Sequence, residues 1–387
     1  MERSAVLNRY IRQIMEDSTP QAPAWNIEKF RSGKPNTWNY IDGCMVKALL
    51  ELFDITKDTA YCQFADEFID YFIDDNGGIK GYDPTDYNLD NVNAGKTLYL
   101  LYEYMHKEKY RKAMEIIYGQ LQGQPRTRQG NFWHKLIYPN QVWLDGLYMA
   151  QPFYMQYELS FCNGHACSDS FHQFMTVNRI MRNVNNGLYY HAYDASHKDF
   201  WCDPVTGLSS NFWLRAEGWF AMAIIDTWEL MPTCMSAERD ELCRMFTALV
   251  DAMIPYQDEK TGMWYQVINF PHIKPNYLET SGSAIFANAI MKGVRLGILD
   301  EQYYVYGRKA FDGVCDTQLS EVNGELQLSG ICLSAGLGNG QGHFKDRSGT
   351  FDYYMSEPIV RNDAKGVAPL VLAYIETLRR KKTIDRK

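Results

Sequence analysis

Apolar residues recur at spacings of three and four along most of the chain. Met45, Val46, Leu49, Leu50 and Phe53 form one stripe, and Tyr61, Phe64, Ala65, Phe68, Ile69 and Phe72 form the next. That spacing lines one face of an α-helix, so the two segments read as an amphipathic pair. Lys57 or Asp58 starts the return helix after a short turn. The same reading predicts pairs at about 92–106 and 108–121, 142–158 and 168–182, 212–230 and 237–255, and 281–295 and 300–317. Pro232 breaks the chain inside the fourth pair, because proline cannot continue a helix. A helix at about 363–380 has no partner after it. The amphipathic segment 2–16, with Val6, Leu7, Tyr10, Ile11 and Ile14 on one side, is the unpaired element that completes it.

Six of these helices open on a related device, a polar or aromatic cluster with a small residue. The copies are WNYIDG (38–43), NVNAGK (91–96), VWLDGL (142–147), FWLRAEGW (212–219), ETSGSA (279–284) and NDAKGVAP (362–369). Evenly recurring helical hairpins point to a closed ring: six parallel inner helices surrounded by six antiparallel outer ones, in one domain over residues 1–387. An open solenoid is the rival, but the unpaired helices lie at opposite termini, which favours closure. Segments 183–211, 256–278 and 318–362 resist a helical reading. Each precedes an inner helix, so all three should lie over the same mouth, and loops this long are usually functional or contain short hairpins.

Composition narrows the function. The formal net charge is −8, and no run of Lys and Arg precedes the tail RRKK (379–382), which suits the C-terminal end of the last helix. A nucleic-acid partner is therefore not expected. The nine cysteines are scattered, and CNGHAC (162–167) lacks further ligands at zinc-like spacing, so no metal is expected and free thiols are. The first residues hold no apolar run of signal-peptide length, and no stretch approaches the roughly 20 apolar residues of a membrane span. The chain reads as soluble and cytoplasmic, with no membrane partner; its oligomeric state is not legible.

The helix starts carry the candidate chemistry. Parallel inner helices bring their free N–H groups to one end, where they favour an anion. Trp38, Tyr40, Asp42, Asp90, Trp143, Asp145, Trp213, Arg215 and Trp219 should converge there. Arg215 and Trp219 are four apart and share a helix face, a pairing that suits an acidic sugar; the bland alternative is a core Trp219 and an Arg215 paired with a neighbour. Any one Asp at a helix start is commonly a cap. Asp145 stands apart because its neighbours are apolar, which raises a carboxyl pKa, whereas Asp90 is flanked by polar residues and should stay ionised. Two carboxyls in unlike settings divide acid and base roles at glycosidic bonds. His134 and His191 precede the third and fourth inner helices and are candidates to bind a polar substrate or tune a carboxyl. GxSxG, HExxH and P-loop motifs are absent, and GLGNG (336–340) reads as a flexible turn rather than a phosphate loop.

NVNAGK with Asp90, FWHK (132–135), QVWLDGLYMA (141–150), NFWLRAEGW (211–219) and YYMSEPIVRNDAKG (353–366) together resemble glycoside hydrolase family 105, the unsaturated rhamnogalacturonyl hydrolases. QVWLDG is the most specific element, and the resemblance runs from residue 38 to the last helix. It implies an all-α (α/α)6 barrel, in agreement with the helix count. It also implies cleavage of a small oligosaccharide ending in a 4,5-unsaturated uronate, by protonation at carbon 4 and hydration at carbon 5, with no metal or organic cofactor. On the family pattern Asp145 matches the acid that later serves as base, and Asp90 its helper. Tyr40, His134, Trp143, His191, Arg215 and Trp219 match positions lining the terminal sugar site. The readings left open are an unsaturated glucuronyl hydrolase, a sugar epimerase on the same barrel, and a non-catalytic sugar-binding protein.

Overall fold

In the computed structural model, which describes residues 2–338 and 346–384, the helical stripes become two concentric rings. The inner ring is α2 (Tyr40–Thr56), α4 (Thr97–Met105), α6 (Leu144–Phe161), α8 (Leu214–Leu230), α10 (Thr280–Arg295) and α12 (Ala364–Ile384). The outer ring is α1 (Arg3–Glu16), α3 (Thr59–Asp70), α5 (Glu108–Gly123), α7 (Cys167–Met181), α9 (Ser236–Met253) and α11 (Tyr304–Thr317). Each inner helix packs on the next, the second meeting the third through the short helical residues 89–96 that precede it, and α12 closes against α2. The expected (α/α)6 barrel is therefore present, with α1 completing the last pair. None of the described helices is long and apolar enough to cross a membrane.

The two rings bury their residues differently. Along α8 every residue from Leu214 to Thr227 is buried, whereas α9 buries one stripe of Leu242, Met245, Phe246, Leu249, Val250 and Met253. A helix enclosed on all sides is apolar nearly all round, and a surface helix shows one face. The small residues at the inner starts follow from this crowding. A Cβ on Gly43 would lie 2.5 Å from the Cα of Ala94, and one on Gly282 would lie 2.4 Å from Cγ of Leu214. Turn chemistry is equally local. Lys57 ends α2 in the left-handed region (φ 60°), and the Asp58 side chain then caps α3 by accepting from the Ala60 amide.

One expectation needs correction. The second inner helix is not continuous from 92. A short helix Leu89–Val92 and a 3-10 turn Asn93–Lys96 precede α4, where Gly95 lets Ile117 and Phe153 come closer than a side chain there would allow. Two of the segments that resist a helical reading, 183–211 and 318–362, hold short paired strands, as loops this long are expected to. β1 (Gln141–Trp143) pairs antiparallel with β2 (Ala192–Asp194). β3 (Leu319–Val322) and β4 (Glu325–Leu328) form a hairpin around Asn323 and Gly324, both at positive φ, as a two-residue hairpin turn of this kind requires. β5 (Ile331–Cys332) pairs with β6 (Ile359–Val360). The last two residues of GLGNG (336–340) lie outside the described residues.

A recurring backbone bond sets the height of the helix starts. The first amide of an inner helical segment donates to a carbonyl in the loop that leads to the next inner helix. Leu89 donates to His134 (3.1 Å), Leu144 to His191 (3.1 Å), Leu214 to Gln266 (3.0 Å), Thr280 to Gly330 (2.9 Å) and Ala364 to Trp25 (2.9 Å). Between the first and second starts, the Trp38 indole N–H reaches the Asn91 carbonyl at 2.8 Å. The loops are thereby fastened over one mouth.

Candidate active site

The same bonds assemble a cavity of about 170 Å³ at that mouth, with Tyr40, Asp90, His134, Trp143, Asp145 and Met149 on its walls. The Leu89–His134 bond brings Asp90 beside His134. The β1–β2 ladder and the Leu144–His191 bond bring Asp145 beside His191. Met149 lies one turn beyond Asp145 on the same helix face. Tyr138, Trp143 and His134 form a continuous stack, with centroids 5.1 and 4.6 Å apart and interplanar angles of 15° and 12°. The Trp143 indole is fixed by donating to Oε1 of Gln141 at 2.9 Å. Gly146 makes room for this wall, because a Cβ there would lie 2.9 Å from Nδ1 of His134.

The two carboxylates have different partners. Oδ2 of Asp90 lies 2.6 Å from the Lys135 ammonium, and Oδ1 lies 3.5 Å from Nε2 of His134. Burial opposes the charge on Asp90, but Lys135 outweighs it and holds the carboxyl below the usual range. Burial pushes His134 down to about 4 against the pull of Asp90, so this imidazole is neutral near pH 7. Among the described residues, Asp145 has no Lys or Arg within ion-pair distance. Its Oδ2 is turned inward to lie 3.3 Å from Nε2 of the fully buried His191. Across the cavity, Glu28 pairs with the fully buried Lys365 at 2.7 Å, and Arg347 adds positive charge to the wall.

Of the eight residues singled out in the sequence, Asp145, Asp90, Tyr40, His134 and Trp143 line this cavity. His191 stands directly behind Asp145 and is fully buried. Two expectations are corrected. Trp219 is a core residue, 1% exposed and stacked on Tyr148 at 4.8 Å. Arg215 does not share its surroundings. It lies over the Trp213 ring at 4.7 Å and donates to the Ser281 hydroxyl and the Cys332 carbonyl, buried beneath the loop that carries β5. Arg215 is thereby committed to protein acceptors and lies outside the described cavity wall. The expected crown of free helix amides is also spent at three of the six inner starts, while those at Thr97, Leu144 and Leu214 have no side-chain cap. Asn39 caps Asp42, Glu279 takes the amides of Ser281, Gly282 and Cys332, and Asp363 takes that of Lys365. Asp42 is structural, its carboxylate accepting from Trp25, Asn26, Asn36 and Asn39.

Several wall residues escaped the sequence reading: Glu28, Lys135, Tyr138, Met149, Ser334 and Arg347. Lys135 sits beside His134 in FWHK, and Met149 follows Asp145 by one turn, so both had a local signal. Glu28 and Arg347 arrive from segments far away in the chain, with none. All nine cysteines are free, and no cluster of His, Cys, Asp and Glu able to hold a metal occurs among the described residues.

Comparison with known proteins adds an independent line. The sequence profile of Glycosyl Hydrolase Family 88 matches residues 10–381. A solved glycoside hydrolase from family 105 of C. acetobutylicum ATCC 824 is 37% identical, covering 97% of this chain and 99% of its own, with a TM-score of 0.88. The unsaturated rhamnogalacturonyl hydrolase YesR of Bacillus subtilis is 26% identical over 292 residues, 72% of this chain and 76% of its own. The unsaturated glucuronyl hydrolase of Bacillus sp. GL1 shares the fold, with a TM-score of 0.66 at 14% identity over 97% of this chain and 96% of its own. A barrel whose mouth gathers two unlike carboxylates and an aromatic stack, matched along nearly its whole length, belongs to the family 88/105 glycoside hydrolases, the unsaturated uronyl hydrolases.

Proposed function

We propose that this chain releases the terminal 4,5-unsaturated galacturonate from rhamnogalacturonan-derived oligosaccharides. The observation that carries the reading is the pairing of an ionised Asp90, neutralised by Lys135, with an Asp145 that meets no Lys or Arg among the described residues, on one small cavity. A volume of about 170 Å³ suits a single terminal ring. The face of Trp143 suits a flattened, unsaturated one. Lys135 and Arg347 supply the positive charge an acidic sugar requires, a task first expected of Arg215 and the helix amides. The similarity to YesR, named for its action on rhamnogalacturonyl substrates, supports the galacturonate over the glucuronate.

In this mechanism Asp145 delivers its proton to carbon 4 of the enol ether, and positive charge develops at carbon 5 and the ring oxygen. A water adds at carbon 5 and returns a proton to Asp145. The resulting hemiketal opens, releasing the neighbouring sugar and an open-chain dicarbonyl acid. Asp90 stays charged throughout and stabilises the cationic stage. The acid acts where the substrate is held close and water is restricted.

Two measurements test this. Turnover is followed as loss of the ultraviolet absorbance of the conjugated acid, with unsaturated galacturonyl-rhamnose and unsaturated glucuronyl disaccharides offered in parallel. Faster consumption of the galacturonyl substrate supports the proposal, and preference for the glucuronyl one replaces it with the alternative. Asp145→Asn should lower kcat by about 10³-fold, within the range for general acids, while the helical circular dichroism is unchanged. A fully active variant would remove Asp145 from the role.

A further inference from the structure

Tyr354 belongs to the short helix Phe351–Ser356 in the last long segment, far in sequence from either carboxylate. Its ring is fully buried against Trp213, and its hydroxyl lies 2.8 Å from Nδ1 of His191. His191 in turn places Nε2 3.3 Å from Oδ2 of Asp145. We propose that Tyr354 is a positioning residue: its phenol donates to Nδ1 of His191, fixing the tautomer that presents Nε2–H to Asp145 Oδ2 and leaves Oδ1 to carry the transferable proton.

The argument is one of hydrogen-bond accounting in a dry site. A buried phenol keeps its proton, and burial holds that of Tyr354 well above the ordinary range. A buried O–H needs an acceptor. Among the described residues Nδ1 of His191 is the one acceptor the Tyr354 hydroxyl meets. The neighbouring Tyr353 shows the contrast, since its hydroxyl donates to Glu357 and also accepts from the Gly336 amide. If Nδ1 carried the hydrogen, the Tyr354 proton would be stranded, and the Nε2 lone pair would face a carboxylate oxygen. With the hydrogen on Nε2, the Tyr354 proton has its acceptor and a donor stands 3.3 Å from the inward oxygen of Asp145; neither Nε2 nor that oxygen has a hydrogen-bond partner among the described residues. Hydrogen-bonding one oxygen of a carboxyl group directs its acidic proton to the other. A distance of 3.3 Å is what a contact that tightens around bound substrate looks like beforehand.

The inference rests on Asp145 as the acid, and its test separates the two. Protein labelled at the histidine nitrogens, with His191→Gln to identify the signal, reports which ring nitrogen is protonated. Nε2–H is expected in the unaltered protein, and Nδ1–H overturns the proposal without any need for a variant at Tyr354. Tyr354→Phe preserves the ring and removes the donor. It should lower kcat by about tenfold or more with KM within about twofold, because a wrong tautomer disables an otherwise intact site, and the His191 signal should shift toward Nδ1–H. Unchanged kcat, or a fall in kcat with no change of tautomer, overturns it. Asp145→Asn, assayed alongside, bears on the acid alone: full activity there would end the acid assignment and leave the tautomer result standing.

Discussion

At the mouth of the barrel, Asp145 meets a buried imidazole at 3.3 Å and has an oxygen left for the cavity. About two or three turns further along the same inner helices, Asp226 takes Lys292 at 2.7 Å and Lys47 at 3.4 Å, with Glu229 on Lys292 at 2.6 Å and Glu51 on Lys47. Both ends of the lumen hold lysines and carboxylates around a cavity, and the lower one, about 250 Å³, is the larger. They differ in what is left over. Burial opposes the charge on Asp226, but Lys292 and Lys47 hold it firmly ionised, so it can neither donate nor accept a proton near pH 7. The lower end is a polar plug, and the mouth is the end with unspent hydrogen-bonding capacity, where the proposed reaction takes place. Of the two, cavity size alone would point to the plug.

Substitutions at the two ends should therefore fail in different ways. At the mouth, Asp90→Asn should lower kcat by about 100-fold or more, with the melting temperature unchanged or raised. At the plug, Asp226→Asn should cost about 2 kcal/mol of stability, because Lys292 and Lys47 lose the carboxylate they share and keep only Glu229 and Glu51, while kcat per folded molecule holds. Denaturant melts and initial rates on both variants read the difference, and a stability loss confined to Asp90→Asn would break the comparison.

Acid should also act at the mouth. His134 is held near 4 in the fold against about 6.5 when exposed. The unfolded chain thus binds the extra proton first, and stability is complete above about pH 6.5 and lost as the pH falls toward 4. His134→Gln should flatten the pH dependence of the unfolding midpoint over that window by up to about 3 kcal/mol. At the plug the window lies higher. Burial lowers Lys96 to about 7, so the folded form sheds a proton that the unfolded chain keeps until about 10.5. The stability of the unaltered protein relative to Lys96→Met should improve between pH 7 and 9, by up to about 2 kcal/mol.

The smallest expected effect concerns a missing donor. Pro152 has no N–H for the carbonyl of Tyr148 one turn back, and the Lys96 ammonium donates to that oxygen at 3.0 Å. Pro152→Ala should restore the helix bond and relieve the demand on Lys96. A double-mutant cycle on Lys96→Met and Pro152→Ala should show a coupling of about 1 kcal/mol, and additive losses would dismiss the link.

The rings were legible because periodicity is local. A stripe such as Tyr61 to Phe72 reports its own helix face without knowledge of the partner. The small residues at the starts were visible too, but their cause, backbone contact between Gly43 and Ala94, depends on two segments about 50 residues apart. Asp90, His134, Trp143 and Asp145 were accessible because each adjoins a helix start, and strand pairing does the rest. Arg215 and Trp219 show the limit. A separation of four places two side chains on one face, yet does not say what covers each of them. The expectation of open helix amides overlooked a readable signal: Glu279, Asn39 and Asp363 stand where capping residues stand. Glu28 and Arg347 reach the site only through tertiary folding, and no pattern near them announces it; Tyr354 lies in YYMSEPIVRNDAKG, a motif that marks the family without naming His191 as its partner.

The backbone bonds that link each inner start to the following loop hold that loop by a carbonyl at a fixed place, whatever its length beyond that point. Chain between such anchors is free to lengthen, shorten or change composition without moving Asp145. Preference for the sugar next in line can thus be rewritten one segment at a time around a constant position for the proposed proton donor, and loop exchange between relatives should carry selectivity with it.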